Sequence, residues 1–98
     1  MSGIIAVCRL ELRLPESQSL KDKRQVVRSL QARLRNQYSV SVAETDFQEK
    51  WQVAELLVTY AASDTGQAQS VLSKVVDYTE GFHLPVEIIE AYTELIDF

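Results

Sequence analysis

The most restrictive feature of the sequence is a stretch of strict alternation near its start. From Ala6 to Leu14 every even-numbered residue is apolar, and charged residues stand at positions 9, 11 and 13. Because side chains of a β-strand point alternately to opposite faces of a sheet, this period of two predicts a strand with one buried face and one open face. The buried face requires a covering layer.

Two segments with helical periodicity are expected to form that layer. Ser19 offers an N-cap oxygen to the first, with Asp22 three residues later, and this helix is expected to run to about residues 35–38. Its apolar side chains fall within one sector of about 80° on a helical projection. The second helix is predicted to begin after Asp64 as its N-cap and to end near Gly81.

Three further segments, 39–45, 51–62 and 86–98, have strand patterns and are expected to form strands two, three and four. The order βαββαβ in a short chain predicts an α+β fold of the ferredoxin-like type. This fold is a four-stranded antiparallel sheet, with strands one and three central and two helices on one face. The whole chain, residues 1–98, is expected to form a single domain.

The net charge of −4 conceals an asymmetry between the two parts of the chain. Residues 1–38 contain eight Lys or Arg and three acids, whereas residues 39–98 contain two Lys and eleven acids. A globally acidic protein is not expected to bind nucleic acid nonspecifically, but a local basic surface is compatible with this composition.

Membrane and secretory features are not expected. No apolar run approaches the roughly 18–20 residues that span a bilayer, and Met1–Ile4 lacks the basic segment of a secretory signal. The single cysteine, Cys8, lies on the apolar face of strand one and is interpreted as a small buried hydrophobic residue. We therefore expect a soluble, cytoplasmic protein.

The sequence lacks the motifs of three active classes that share this topology. An acylphosphatase would need a Gly-rich anion loop after strand one, where residues 14–19 are acidic and contain no Gly. An RNA-recognition motif would place stacking aromatics on the central strands, and strand one has none. A metal-carrying domain would have Cys-x-x-Cys. No metal and no cofactor is expected.

The remaining titratable residues do not form a recognisable catalytic set. The only histidine, His83, has no second His or Cys near it in sequence, and it is interpreted as structural or solvated. Glu44, Asp46 and Glu49 surround the connection between strands two and three. Mg²⁺ or Ca²⁺ prefers such oxygens, but their spacing favours a solvated acidic turn. An enzyme would need a cleft built from Glu44, Asp46 and His83, so a non-enzymatic protein is expected.

The basic residues of helix one form the most informative pattern. Four cations, which we call the basic stripe, lie within about 60° of one another beside the apolar sector: Lys21, Arg24, Arg28 and Arg35. Lys23 falls inside the apolar sector and is expected to snorkel or to lie beyond the edge of the sheet. The stripe has two interpretations. It is either a solvated flank that complements the helix dipole or a ridge that binds phosphates.

Two stretches together resemble a known family. Residues 19–24 (SLKDKR), followed by residues 33–36 (RLRN), are similar to the helix-one signature of the YlxP-like bacterial proteins, domain-of-unknown-function family 503. Residues 41–44 (SVAE), with Trp51 and Gln52 seven residues on, resemble the second signature of that family. The resemblance covers essentially the whole chain, and the paired motifs at this separation are fairly specific.

The sequence departs from the family pattern at two positions. In the family an Asn often precedes the Val-Ser-Val-Ala-Glu run, and a His often follows the acid at position 46. Ser39 and Phe47 stand at those places here. The departures weigh against a catalytic or metal role for the connection between strands two and three.

The resemblance implies a ferredoxin-like bacterial protein. Genes of this family often lie near those of translation and ribosome-maturation factors, including ribosome-binding factor A. This association points to RNA or ribosomes as partners. It agrees with the basic stripe, which was inferred from the residues alone.

The leading hypothesis is a non-enzymatic accessory protein that touches ribosomal RNA or a ribosome-associated partner. The expected contacts are the cations of helix one and one aromatic residue: Lys21, Lys23, Arg24, Arg28, Arg35 and Trp51. Trp51 stands at the predicted start of strand three, where a Trp is more often part of the core. The alternative is that its ring stacks on RNA or anchors a partner.

The alternative is a homo-oligomeric regulatory or small-ligand-binding module that uses the open sheet face. Its interface would include Arg9, Glu11, Arg13, Leu57, Thr59 and Tyr92. Because this face mixes apolar and complementary charged residues, it is suited to pairing with a copy of itself. The long last strand is a second route, since it is able to extend the sheet of a partner.

Overall fold

The computed structural model describes residues 3–98. It contains four strands and two helices: β1 (Ile4–Arg13), α1 (Leu20–Tyr38), β2 (Ser41–Asp46), β3 (Val53–Ala62), α2 (Thr65–Glu80) and β4 (Glu87–Asp97). Met1 and Ser2, on which part of the expectation about a secretory signal rests, lie outside the described residues.

The strands form one antiparallel sheet in the order β2-β3-β1-β4. The two central strands pair along their full length, from Ile4 opposite Ala62 to Arg13 opposite Val53. β4 pairs with the other side of β1 and ends the sheet. The predicted α+β ferredoxin-like arrangement, with strands one and three in the centre, is therefore confirmed.

The core lies between the helices and the face of the sheet that carries the even-numbered residues. Every even-numbered residue of β1 is buried, as are Ala54, Leu56 and Val58 of β3. The two helices contribute Val27, Leu30, Leu34, Ala68, Leu72 and Val75 to the same cluster. Burying a Val or Leu side chain contributes roughly 1.5–3 kcal/mol, so this layer is the main source of stability. The odd-numbered residues of β1 and β3 form the opposite, open face.

Side-chain caps define where both helices begin. The hydroxyl of Ser19 accepts a hydrogen bond from the backbone N–H of Asp22 at 3.1 Å, and the carboxylate of Asp64 accepts one from the N–H of Gln67 at 2.8 Å. Both predicted N-caps are confirmed. The amide of Gln67 donates to the hydroxyl of Tyr60 at 3.0 Å, which joins the start of α2 to β3.

Two strand starts differ from the prediction by two residues, and the end of β2 and both ends of β4 differ by one. Ser39, expected in strand two, is the C-cap of α1 with φ 55° and ψ 39°, and its N–H donates to the carbonyl of Arg35. This left-handed conformation satisfies a carbonyl that the helix end would otherwise leave free. Trp51, expected to begin strand three, precedes β3 by two residues. A turn bond from the N–H of Lys50 to the carbonyl of Phe47 at 2.9 Å keeps the chain out of the ladder there.

Candidate nucleic-acid interface

The exposed cations of α1 form one surface because the helix is amphipathic. Its apolar residues lie against the sheet, which leaves the flank with Lys21, Arg24 and Arg28 exposed to solvent. Spacings of three and four residues place these side chains in one row, about 10 Å long at a rise of 1.5 Å per residue. Within residues 3–98, none of the three forms an ion pair.

Arg35, the fourth member of the basic stripe, has a structural contact. One terminal nitrogen of its guanidinium donates to the backbone carbonyl of Val42 at 2.8 Å. This bond ties the last turn of α1 to β2. Since a guanidinium carries five N–H donors, Arg35 retains donors for another partner while it holds this carbonyl.

Lys23 does not reach solvent, so the expectation that it snorkels or lies beyond the sheet edge is wrong. Its side chain is only 1% exposed, and its ammonium lies 3.0 Å from Oε2 of Glu44 and donates to the backbone carbonyl of Phe47. A buried charge is costly unless it is paired, and these two oxygens provide the compensation. Lys23 therefore has no free surface with which to contact a partner.

The pairing of Lys23 also accounts for Glu44, one of the three acids at the connection between β2 and β3. Glu44 is opposite Leu56 in the ladder, so its side chain lies on the helix side of the sheet. Its Oε2 is buried, and the ammonium beside it makes an ion pair rather than a well-directed hydrogen bond. The sequence contains a signal for this contact, because Glu44 has the same parity as the buried Val42 and Lys23 falls in the apolar sector of α1.

Phe47 adopts a backbone conformation that is uncommon for a residue other than Gly. Its φ of 63° lies in the left-handed region, which costs an L-residue roughly 1–2 kcal/mol. Its N–H donates to Asp46 Oδ1 at 2.7 Å, and its carbonyl accepts a hydrogen bond from the ammonium of Lys23. The bond from Lys23 thus holds the connection between β2 and β3 against the first turn of α1, and the bond to Asp46 stabilises the connection locally.

Trp51 lies on the surface and not in the core. It is 54% exposed and borders a shallow depression of about 370 Å³ together with Lys50 and Val53. The side-chain amide of the next residue, Gln52, donates to the carbonyl of Ser17 at 3.0 Å. Because Ser17 lies just before α1, this bond places Trp51 at the same end of the molecule as the start of the basic stripe.

The structure brings most of the predicted oligomer residues together on the open sheet face. Arg9 of β1 is opposite Leu57 of β3 on one side and Tyr92 of β4 on the other. Its guanidinium carbon lies 5.2 Å from the centre of the Tyr92 ring, and its Nε lies 3.9 Å from the carboxylate of Glu55. Glu11, Arg13 and Thr59 have the same parity and share this face.

The residues considered for catalysis have structural contacts. Cys8 is fully buried, and the loss of solvent raises the pKa of its thiol from 9.0 to about 11. The reactive thiolate is therefore disfavoured. The ring of His83 lies against Phe82, with 4.5 Å between the ring centres.

In the described part of the chain, no three His, Cys, Asp or Glu side chains form a group that could hold a metal ion. None of its helices is long and apolar enough to cross a membrane.

Comparison with known proteins assigns the family. The family described as "Protein of unknown function (DUF503)" matches residues 5–93. This chain belongs to the DUF503 family. The resemblance inferred from the two sequence signatures is thereby confirmed.

One curated relative and one solved structure extend this DUF503 assignment. The chain is 27% identical over 79 residues to "Uncharacterized protein YlxP" of Bacillus subtilis (strain 168), a match that covers 81% of this chain and 86% of the relative. Among solved structures, the "De novo designed protein Foldit4" matches with a TM-score of 0.54 at 12% identity. That match covers 94% of this chain and 96% of the designed one. At so low an identity it shows the fold alone.

Proposed function

We propose that this DUF503 protein is a non-enzymatic, cytoplasmic accessory factor that binds ribosomal RNA through the exposed cations of α1. The observation that supports this function is the row of Lys21, Arg24 and Arg28. These three side chains are exposed on one face of the helix, and no acid within residues 3–98 pairs with them. The alternative is that this chain binds a ribosome-associated protein instead of RNA. The experiment below distinguishes the two.

The physical basis is the release of counterions from a charged backbone. Each phosphate that a Lys or Arg neutralises releases condensed cations, which favours binding at low salt. The row is preorganised, because α1 is held to the core by the fully buried Leu30 and Leu34. A rigid surface loses little conformational entropy on binding.

Trp51 adds to this surface an exposed aromatic ring on which an RNA base stacks. Stacking of a base on an aromatic side chain contributes about 1–3 kcal/mol and tolerates any base. The indole is half exposed and lies near the start of α1, where Gln52 joins the two segments. An RNA strand that follows the row of cations would meet Trp51 at one end.

The experiment is co-sedimentation of the protein with bacterial ribosomes, with and without prior nuclease treatment. The test variant is Arg24→Glu/Arg28→Glu, and the matched control is Arg33→Glu/Lys74→Glu, which changes the net charge equally at other exposed cations. We expect the test variant to lose about tenfold or more in affinity at moderate salt and the control to change far less. Equal losses in both variants, or none in either, would overturn the proposal, and binding that survives nuclease would identify a protein partner.

A second candidate function, a homo-oligomeric regulatory or small-ligand-binding module, is favoured by the apolar residues of the open sheet face. Tyr92 is 47% exposed and Ile96 is 37% exposed, and Ile96 stands opposite Ile5 in the ladder. A second copy would remove these side chains from water. Sedimentation of the wild type and of Ile5→Glu tests it: a dimer that dissociates in the variant supports this candidate, and a monomeric wild type at high concentration excludes it.

A further inference from the structure

The outer edge of β4 presents a row of backbone groups without a neighbouring strand in the described chain. β4 is the last strand in the sheet order and pairs only with β1. Gly3 and Phe98 exchange two backbone hydrogen bonds, at 2.9 and 2.8 Å, at one end of this pair of strands. In an antiparallel ladder such closely bonded pairs alternate with pairs whose N–H and C=O groups point away from each other.

The strand register determines which backbone N–H and C=O groups of β4 point away from β1. Counting from Phe98 in steps of two, residues 96, 94 and 92 bond to β1, and the residues between them face the open edge. The outward N–H and C=O groups belong to Ala91, Thr93, Leu95 and Asp97. They repeat along about 20 Å of regular strand.

Residues 91–97 of this edge include two acids, Glu94 and Asp97, but lack the other common devices that protect an exposed strand. Edge strands are commonly shielded by Lys, by Pro or by a bulge that twists the edge away. Residues 91–97 contain neither Lys nor Pro. The register shift between β1 and β4 falls at Glu11 and Leu12, so it lies before residue 91. The edge is therefore competent to accept a further strand.

A cavity of about 530 Å³ lies beside this edge on the helix side of the sheet. Its lining comes from α2 and β4, with Leu72, Val76 and Leu95 as apolar residues and Asp77 and Thr93 among the polar ones. Because β4 ends the sheet, the cavity opens where an added strand would lie. Alternate side chains of that strand would point into the cavity, and the others would point to the open face beside Tyr92 and Ile96.

The charge of β4 indicates which kind of strand would bind. β4 carries four acids and no base: Glu87, Glu90, Glu94 and Asp97. Pairing of two β4 strands at this edge would bring eight acids and no base together in any register, and a register about Tyr92 would also place Glu90 directly opposite Glu94 of the other copy, where like charges are destabilising. A second copy is thus disfavoured at this edge, whereas a basic strand is complementary.

We propose that the outer edge of β4 binds an extended, basic segment of another protein, which adds to the sheet as a fifth strand. Main-chain bonds to residues 91–97 provide affinity in this mode of recognition, and side-chain pockets provide selectivity. Aliphatic side chains of the segment enter the cavity beside Leu72 and Val76, and its Lys or Arg residues pair with the acids of β4. This site is separate from the cations of α1 and does not depend on the proposed function.

The test uses the wild-type protein and a labelled nine-residue peptide of alternating Lys and Val, with an alternating Glu and Val peptide as its charge control. Binding is measured by fluorescence anisotropy, and hydrogen exchange reports on the amides of Thr93 and Leu95. We expect saturable binding of the basic peptide, protection of both amides, and at least about tenfold weaker binding of the acidic peptide. Equal binding of the two peptides, or unprotected amides, would overturn the proposal.

Two variants of Thr93, one without its outward N–H and one with it, test this donor without touching the ladder to β1. Thr93→Pro deletes the N–H at a position where an edge strand tolerates Pro, and Thr93→Val keeps it in a side chain of similar shape. We expect about a tenfold loss of peptide affinity in Thr93→Pro and little change in Thr93→Val. Equal affinities of the two variants would contradict strand addition.

Three further measurements complete the test. If Thr93→Pro fails to fold, a basic peptide N-methylated at every residue takes its place, because it has no N–H to donate to β4 from either edge, and its undiminished binding would contradict strand addition. Arg24→Glu/Arg28→Glu is expected to bind the peptide as the wild type does, since its changes lie on α1. Protection of Thr93 and Leu95 that rises with protein concentration in the absence of peptide would identify a second copy as the occupant and overturn the proposal.

Discussion

Lys23 and Glu44 join the first half of α1 to the edge strand β2 through an ion pair that is almost closed to solvent. The ammonium lies 3.0 Å from the carboxylate oxygen, with the side chain of Lys23 1% exposed and that of Glu44 22% exposed. The same ammonium donates to the carbonyl of Phe47. The contact therefore fixes the helix that carries the exposed cations relative to the turn that leads to Trp51.

Removing one partner of this pair is expected to destabilise the fold. Glu44→Gln leaves the buried ammonium of Lys23 without its counter-charge. Such losses are about 3–5 kcal/mol for fully buried pairs, and the partial exposure of Glu44 reduces our expectation to about 2 kcal/mol. The measurement is the free energy of unfolding in urea. Glu49→Gln is the matched control, since Glu49 is exposed in the same connection and should change stability by less than about 0.5 kcal/mol.

A double-mutant cycle separates the pair from its surroundings. Lys23→Met removes the charge and keeps an unbranched apolar stem, so the double variant with Glu44→Gln should be more stable than the sum of the two single changes predicts. A coupling free energy near zero would show that the two side chains do not stabilise each other.

The bond from Arg35 to the carbonyl of Val42 distinguishes a structural cation from the exposed ones. Arg35→Gln is expected to lower the free energy of unfolding by about 1 kcal/mol, because a half-buried carbonyl loses its donor. Arg24→Gln should change it by less than about 0.5 kcal/mol, since Arg24 is exposed without an ion pair among residues 3–98. Equal effects in thermal unfolding would contradict this difference.

Ser39 is expected to be replaceable by Gly with a gain in stability. Its left-handed φ of 55° is unfavourable for a residue with a Cβ atom, and Gly adopts it without steric cost. Ser39→Gly should raise the free energy of unfolding by about 0.5–1 kcal/mol. Ser41→Gly is the control two residues away, and because Ser41 lies in β2 that change should lower stability.

The buried thiol of Cys8 predicts a loss of stability at alkaline pH. Burial raises its pKa from 9.0 to about 11, so between these values the unfolded chain has released the proton while the folded chain still holds it. The contribution of the protonated thiol to the free energy of unfolding is complete below pH 9. It declines as the pH rises, by about 1 kcal/mol between pH 9 and pH 10. Urea unfolding should show a steeper decline in the wild type than in Cys8→Ala. Parallel curves would mean that Cys8 makes no such contribution.

The elements with local signals were predictable from the sequence. The alternation around Leu10, the caps at Ser19 and Asp64, and the helical spacing of α2 each identify an element without knowledge of its neighbours. The sheet topology was predictable from the order of these elements, because a short βαββαβ chain has few ways to pack both helices on one sheet.

The features that depend on contacts between distant segments were not predicted. The burial of Lys23 depends on Glu44, twenty-one positions away in the sequence, and the exposure of Trp51 depends on the turn that Phe47 begins. Ser39 is assigned to a strand by its polar and apolar alternation, but the need to cap α1 decides its conformation. The parity of Glu44 and the place of Lys23 in the apolar sector of α1 put both side chains between helix and sheet, but neither signal selects the partner.

The most direct test of the proposed function is the salt dependence of binding to a single-stranded fragment of ribosomal RNA. Affinity is measured over a range of salt concentrations for the wild type and for Arg24→Glu/Arg28→Glu. Three phosphate contacts at about −0.7 each predict a slope near −2 for the wild type in a plot of log affinity against log salt, and the variant should lose more than half of it. Identical slopes for the two proteins would contradict a role for these cations in binding RNA.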